Sequence, residues 1–140
     1  MHFSIKIELT SEAELLRVIR AVVEETCQLS GFSSMDSSKI VLAVDEACSN
    51  IIKHTYKGKN GQPITIKCKF ADEELTIKLL DVGEKVDPEK IRGRDLSELR
   101  PGGLGIHLIH SVMDEVFYID EPGCTNCLVL KKRLNQKERY

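Results

Sequence analysis

The strongest constraint on the fold is a change of hydrophobic period along the chain. Residues 3–9 alternate between polar and apolar side chains, which is typical of a strand with one buried face. Apolar residues then recur every three or four positions over 11–29 and over about 36–56, which predicts two amphipathic helices. Ser11 is expected to begin the first helix through a capping box, and Asp36 to cap the second.

The second half of the chain returns to a period of two. Alternating runs over 64–70 and 75–79 are joined by Ala71-Asp72-Glu73, which predicts an antiparallel hairpin. Residues 82–103 are polar, irregular and rich in glycine and proline, and so long a stretch in a compact domain is usually functional. The remaining predicted elements are a helix over 104–113 and strands over 116–119 and 127–130.

This order of elements predicts an α+β fold, a two-layer sandwich with helices on one face of a mixed, mostly antiparallel sheet. The chain has 140 residues, 41% hydrophobic and 30% charged, so we expect one globular domain over 1–140. A net charge of −2 argues against binding nucleic acid through bulk charge. No apolar run approaches the roughly 18 residues of a membrane helix. The alternating N-terminus lacks the apolar core of a signal peptide, which predicts a cytoplasmic protein.

Five cysteines, an odd number, predict free thiols rather than a disulfide framework. Cys124 and Cys127 have CxxC spacing, and because they are three apart in a predicted strand they are expected to point to opposite faces. A redox or metal-binding domain built on this pair is one alternative function. The pair supplies only half of a four-ligand zinc site, however, and the sequence has no second pair.

One stripe of the second predicted helix carries polar side chains of different kinds. Glu46, Asn50, Lys53 and His54 follow the spacing i, i+4, i+7 and i+8, so they lie within about 100° of one another on an α-helix. A carboxylate one turn from an amide oxygen suits Mg²⁺ and a water or hydroxyl nucleophile. A solvated helix surface is the alternative, and the spacing by itself does not decide between the two.

Two further motifs follow in order along the chain. Asp81-Val82-Gly83 ends a strand, where an acid can accept from an exocyclic amine and glycine lets a ligand approach the backbone. Residues 100–105, Arg-Pro-Gly-Gly-Leu-Gly, open the third helix, where backbone N–H groups at the positive end of the helix dipole suit an anion. Each motif alone is a weak signal, and their order is what favours a nucleotide site.

The three motifs resemble the boxes of the Bergerat fold, the ATP-binding domain shared by gyrase, Hsp90, histidine kinases and MutL. Residues 46–50 are similar to the first box, 81–83 to the second and 102–105 to the third. Over nearly its whole length, and most closely over 44–56 and 102–109, the chain resembles the small bacterial serine kinases that act as anti-sigma factors.

This resemblance implies roles for individual residues. Glu46 would be the base that orients or deprotonates the attacking hydroxyl, and Asn50 would coordinate the Mg²⁺ that bridges the phosphates of ATP. Asp81 would accept the adenine amine, Gly83 would leave room for the ring, and an ATP lid would span about 82–103. Further contacts with ATP are expected from Lys53, His54, Arg100, Gly102, Gly103, Leu104, Gly105 and Thr125.

Two positions depart from the family pattern. Lys85 stands where a further glycine is common, and Gly123-Cys124-Thr125 replaces a glycine followed directly by threonine. Thr125 is therefore the candidate contact to adenine from the last strand.

The resemblance implies a cytoplasmic protein serine/threonine kinase that uses ATP and Mg²⁺ and works as an anti-sigma factor. It would sequester a sigma factor, phosphorylate Ser or Thr of a STAS-type anti-anti-sigma partner and form a homodimer, with no direct nucleic acid or membrane partner. The apolar first helix would be either core or a dimer face. The rival hypothesis is an ATP-binding regulatory switch that binds a partner protein without phosphoryl transfer.

Overall fold

The computed structural model describes residues 1–91 and 103–135, and five strands within these residues form one sheet. The strands are β1 (Phe3–Thr10), β2 (Pro63–Ala71), β3 (Glu74–Asp81), β4 (Glu115–Ile119) and β5 (Asn126–Arg133). Their order across the sheet is β1-β2-β3-β5-β4, and every neighbouring pair is antiparallel. The described strands thus contain no parallel pair, so the sheet is antiparallel and not mixed as predicted, because each strand pairs with neighbours that run in the opposite direction. β1 and β4 form its two edges.

The helices form a second layer on one face of this sheet. They are α1 (Leu16–Ser30), α2 (Ser34–Asn50) and α3 (Gly103–Val112). A 3₁₀ turn over Ala13–Leu15 leads into α1, a π-helical turn over Ile51–Thr55 continues α2, and a second 3₁₀ turn spans Pro88–Ile91. The order of strands and helices is the predicted one, and the α+β two-layer sandwich is confirmed.

Both predicted helix starts are wrong in detail. The Ser11 hydroxyl is buried and makes no cap; it donates to Lys59 O at 2.6 Å and accepts from Gln62 N at 3.0 Å. It therefore fastens the β1–α1 connection to the turn before β2. The cap of α2 is Ser33, whose hydroxyl accepts from Asp36 N at 3.1 Å. Asp36 thus lies in the first turn, where its charge favours the helix dipole.

The core lies between the helices and one face of the sheet. The largest fully buried side chains are Ile19, Val23, Ile40, Val44, Ile64, Ile66, Leu75, Ile77, Leu79, Ile109, Val129 and Leu130. All but Val129 belong to this layer; Val129 packs with Leu80 and Cys127 in a smaller cluster. The alternation of β3 and β5 places that cluster on the other, open face of the sheet. The apolar residues of α1 divide between two faces, because Val18 is 49% exposed and Leu29 is 53% exposed.

Within the described residues no helix is both long and apolar enough to cross a membrane. Half of the predicted ATP lid, residues 92–102 with Arg100 and Gly102 among them, lies outside the described residues.

Candidate functional site

The first and third motifs meet where α2 packs against α3. The side chains of Glu46 and Asn50 are half-buried, and neither forms a hydrogen bond or ion pair with any residue that the structure describes. A Cβ placed on Gly105 would lie 2.6 Å from Cγ of Glu46. Glycine at 105 allows α3 to approach the Glu46 carboxylate closely. The packing of α3 against α2 therefore sets the position of this carboxylate.

The polar stripe of α2 changes character after Asn50. The chain continues as a π-helical turn in which Tyr56 N donates to Ile51 O at 2.8 Å, and such turns occur frequently at functional sites. Lys53 and His54 lie on this turn and are exposed. Because a π turn rotates less per residue than an α-helix, the α-helical spacing that predicted a four-residue stripe does not apply beyond Asn50.

The second motif is held at the end of β3, where Asp81 is buried on the helix side of the sheet. Its Oδ1 accepts from Gly83 N at 3.1 Å and from Asn126 Nδ2 at 2.9 Å. Burial raises the pKa of this carboxyl, and the hydrogen bonds from Asn126 and Gly83 oppose that rise. Both of these hydrogen bonds end on the same carboxylate oxygen.

The end of the second helix packs against the second motif. The Tyr56 hydroxyl donates to Pro63 O and accepts from Val82 N at 2.8 Å. A Cβ on Gly83 would lie 2.5 Å from Thr55 Cγ2 and 3.0 Å from Tyr56 Cε1. The resemblance assigned this glycine to the adenine ring, and the structure shows that it also makes room for the chain's own Thr55.

We therefore expect Gly83→Ala to lower the free energy of unfolding by about 1–3 kcal/mol, because overpacking forces neighbouring groups to shift. Denaturant unfolding measures this loss. The matched control is Val82→Ala, which shortens the exposed neighbouring side chain and should change stability by less than about 0.5 kcal/mol. Wild-type stability in Gly83→Ala would show that Thr55 can move without cost.

The last strand contributes a residue that the sequence analysis missed. Thr125, the predicted contact, is half-buried and touches Asp81 through the backbone, where its N–H donates to Asp81 O at 2.8 Å. The side chain that reaches the Asp81 carboxylate is that of Asn126, which lies directly opposite in the β3–β5 pair. An asparagine beside a run of apolar strand residues is the signal that could have identified it, since asparagine is depleted in strands.

The prediction that the two CxxC cysteines point to opposite faces is wrong. Cys124 lies in the turn before β5, and both sulfurs contact the same residue: Cys124 Sγ donates to Glu121 O at 3.4 Å and Cys127 Sγ to Glu121 Oε2 at 3.3 Å. Burial raises the pKa of Cys127 to about 12 and also raises that of Cys124. Thiolates are the reactive and metal-binding form, so this environment disfavours the redox or metal reading.

The donor set beside α3 fits Mg²⁺. Glu46 and Asn50 offer a carboxylate and an amide oxygen one turn apart, and oxygen donors are what this ion prefers. In the parts of the chain that the structure covers, no group of three or more His, Cys, Asp or Glu could hold a metal ion. A cation here would therefore be held largely by the phosphates of a nucleotide, as Mg²⁺ commonly is.

The remaining predicted ATP contacts are placed as follows. Gly103 begins α3, and Leu104 follows it in the first turn of that helix. Residues 55 and 56, which follow α2, contact Gly83 and Val82, so α2 and its π turn connect the Glu46–Gly105 contact with the Asp81 carboxylate.

A family model described as a histidine kinase-like ATPase domain matches residues 9–132. This chain belongs to that family. It is 31% identical to the serine-protein kinase RsbW of Listeria monocytogenes serotype 4a (strain HCC23), covering 99% of this chain and 92% of that protein. It is 32% identical to the RsbW of Staphylococcus aureus, covering 86% and 82%.

A solved structure has the same fold. It is a crystal structure of the RsbU and RsbW domains of Rv1364c from Mycobacterium tuberculosis, with a TM-score of 0.66 and 19% identity. The match covers 94% of this chain and 32% of that longer one. The predicted family, fold class and enzyme class, a protein serine/threonine kinase, are confirmed by these comparisons.

Proposed function

We propose that this protein binds Mg²⁺ and ATP between α2, α3 and the end of β3, and transfers the γ-phosphate to a Ser or Thr of a STAS-type anti-anti-sigma partner. In the same role it would hold a sigma factor inactive, as a cytoplasmic protein acting through a single domain over 1–140. The observation that carries the proposal is the contact of the Glu46 carboxylate with Gly105 of α3. The relatives named serine-protein kinases support a protein hydroxyl as the acceptor.

The proposed chemistry follows from four groups of this chain. Asp81 presents a carboxylate that can accept from the exocyclic amine of adenine, which fixes the base at the end of β3. The backbone N–H groups at the N-terminus of α3 would bind the phosphates. Glu46, which has no hydrogen bond to any described residue, is free to orient the attacking hydroxyl and take its proton. Mg²⁺, held by Asn50 and the phosphates, would neutralise charge during transfer.

Phosphorylation would change the partner's charge. A phosphoserine or phosphothreonine carries about −1.5 to −2 charges at pH 7, which would discourage the partner from binding again to the same surface. The sigma factor would then bind this protein in place of the phosphorylated partner. Which of the two partners binds would depend on whether ATP or ADP is present in the site.

The test is calorimetric titration with ATP, with and without Mg²⁺, followed by incubation with γ-labelled ATP and a candidate STAS-domain partner. We expect one ATP per chain, tighter binding with Mg²⁺, and label on a Ser or Thr of the partner. Binding of ATP and partner without transfer of label would favour the rival hypothesis of an ATP-binding switch. Absence of ATP binding at millimolar concentration would contradict both.

The edge strand β1 and the groove beside it are the candidate surface for the predicted homodimer. β1 is an edge strand, and its outer edge faces no described strand. Beside it lies a groove of ≈ 370 Å³ with apolar and polar lining from Ile5, Ala21, Val22, Glu25, Thr26 and Leu29. We propose that a second copy covers this surface, with its β1 antiparallel to the first and its α1 against α1 across a two-fold axis.

The charges on β1 are self-complementary in one register. Lys6 and Glu8 lie on the exposed face of the strand. A two-fold axis at Ile7 sets Lys6 of each copy opposite Glu8 of the other, and it also pairs Ile5 with Leu9. An axis at Lys6 or at Glu8 would instead set like charges opposite each other, which is destabilising.

Stacking two copies through the open face of the sheet is less favourable. That face carries a groove of ≈ 560 Å³ whose basic lining residues are Lys6, Lys67, Lys69, Lys78 and Lys131. Bringing two such faces together would oppose lysines, whereas pairing at β1 brings opposite charges together.

We expect Lys6→Glu and Glu8→Lys each to weaken self-association about tenfold or more, because each turns two attractive cross-strand pairs into two repulsive ones. Mixed together, the two variants should associate preferentially with each other, since every opposed pair is then attractive. Native mass spectrometry of the mixture measures the species. A 1:2:1 mixture of dimers, or a wild type that is monomeric, would contradict this interface.

A further inference from the structure

We propose that Asn126 is a positioning residue that orients Asp81 for base recognition and thereby selects a 6-aminopurine over a 6-oxopurine. The inference rests on the proposed function, because it takes Asp81 as the acceptor of the adenine amine. It concerns a residue outside the three sequence motifs, and so adds a determinant of nucleotide specificity to the site.

The Asn126 amide is locked by three hydrogen bonds to one segment. Its Nδ2 donates to Asp81 Oδ1 at 2.9 Å and to Glu84 O at 2.8 Å, and its Oδ1 accepts from Val86 N at 2.9 Å. Asn126 is 2% exposed and Asp81 3% exposed, so solvent cannot easily replace these bonds. Because two partners only accept and the third only donates, one orientation of the amide satisfies all three.

This arrangement determines which carboxylate oxygen faces a ligand. Asn126 and Gly83 both donate to Oδ1 of Asp81, which leaves Oδ2 as the acceptor for an incoming base. An ionised carboxylate only accepts hydrogen bonds, so it pairs with the amine of adenine and repels the carbonyl oxygen of a 6-oxopurine. Discrimination of this kind is large, because the wrong base leaves a buried polar group unpaired.

Asn126 also favours the ionised carboxylate. Burial raises the pKa of Asp81, and the hydrogen bond from Asn126 is the largest influence that lowers it. Lys85 acts in the same direction but is exposed, where solvent screens its charge. The titratable groups beside Asp81 further include Tyr56, Tyr118 and Cys124. Each is neutral near pH 7, because its ordinary pKa lies above 7 and burial raises that pKa further.

Loss of the Asn126 donor should therefore raise the pKa of Asp81. Without Asn126 the buried Asp81 would take up a proton at higher pH than in the wild type. A protonated carboxyl can donate to the carbonyl oxygen of a 6-oxopurine, so the preference for adenine would decline, and it would decline further as the pH is lowered.

The test compares Asn126→Val with Asn126→Thr. Valine and threonine have nearly the same shape and both suit a strand, and both lose the amide's bonds to Glu84 O and Val86 N. They differ in one hydroxyl, which can donate to Asp81. Any difference in nucleotide preference between the two variants therefore reports the donor to Asp81 rather than the shared structural loss.

Each protein is titrated with ATP and with inosine triphosphate (ITP), its 6-oxo counterpart, at pH 8 and pH 6. We expect the wild type to prefer ATP by about tenfold or more at both pH values. Asn126→Val should lose at least about fivefold of that preference, with a larger loss at pH 6. Asn126→Thr should stay within about threefold of the wild-type ratio.

Several outcomes would overturn the inference. One is a folded Asn126→Val that keeps the wild-type ratio at both pH values, and another is an equal loss of the ratio in the two variants. If Asn126→Val does not fold, Asn126→Ala and Asn126→Ser form an equivalent pair without and with a donor. A wild type that binds ATP and ITP equally overturns selection through Asn126 but leaves ATP binding intact, whereas one that binds neither contradicts the proposed function itself.

Discussion

Asp81→Asn is expected to weaken ATP binding by about 100-fold, the largest effect on nucleotide affinity that we expect from a single change. A hydrogen bond to a charged group contributes roughly 1.5–3 kcal/mol, and the introduced amide can also turn an N–H towards the adenine amine. The carboxylate is 3% exposed, so water cannot take over its role as acceptor. Calorimetric titration with ATP in the presence of Mg²⁺ measures the loss.

The matched control for this variant is Asp72→Asn. Asp72 lies in the β2–β3 turn at the other end of β3, where it is exposed and its only described ion pair is with His2. ATP affinity in this control should equal that of the wild type. If Asp81→Asn also binds ATP as the wild type does while remaining folded, adenine is not recognised at the end of β3, and the proposed site is wrong.

Glu46→Gln is expected to lower the rate of phosphoryl transfer by about 10²–10⁴-fold while ATP affinity changes by less than about threefold. Glutamine keeps the shape of the side chain and its contact with Gly105, but it cannot take a proton from the acceptor hydroxyl. Single-turnover transfer of label from γ-labelled ATP to the STAS-type partner measures the rate, and calorimetry measures the affinity.

Glu24→Gln on the exposed side of α1 is the control and should transfer phosphate at the wild-type rate. Gly105→Ala, on α3, should also slow transfer, because its added methyl group would displace the Glu46 carboxylate. Full transfer activity in Glu46→Gln would exclude Glu46 as the base. Loss of ATP binding in that variant would instead assign the residue to nucleotide binding.

The secondary structure was largely predictable because it depends on local patterns. The alternation of residues 3–9 corresponds to β1, and the two runs around Ala71-Asp72-Glu73 correspond to the β2–β3 hairpin, whose Asp72 and Glu73 adopt positive φ. Details that depend on distant partners were not predictable. Ser11 has the spacing of a capping box, yet its hydroxyl bonds to Lys59 and Gln62, about 50 residues away in the chain.

The candidate site also has residues that local patterns predicted and one that they did not. Helical spacing singled out Glu46 and Asn50 as candidates, and position at a strand end singled out Asp81 and Gly83. Asn126 was missed because its contact with Asp81 spans 45 residues of sequence and exists only through the β3–β5 register.

The sequence by itself determined the order of strands and helices, the family and the chemical types present at the site, because periodicity and short motifs are local properties. The tertiary structure alone decided that α2 continues as a π turn, that Thr55 occupies the space beside Gly83, and that Asn126 holds the Asp81 carboxylate. These features arise where strand register and helix packing bring distant residues together, and no local pattern specifies that geometry.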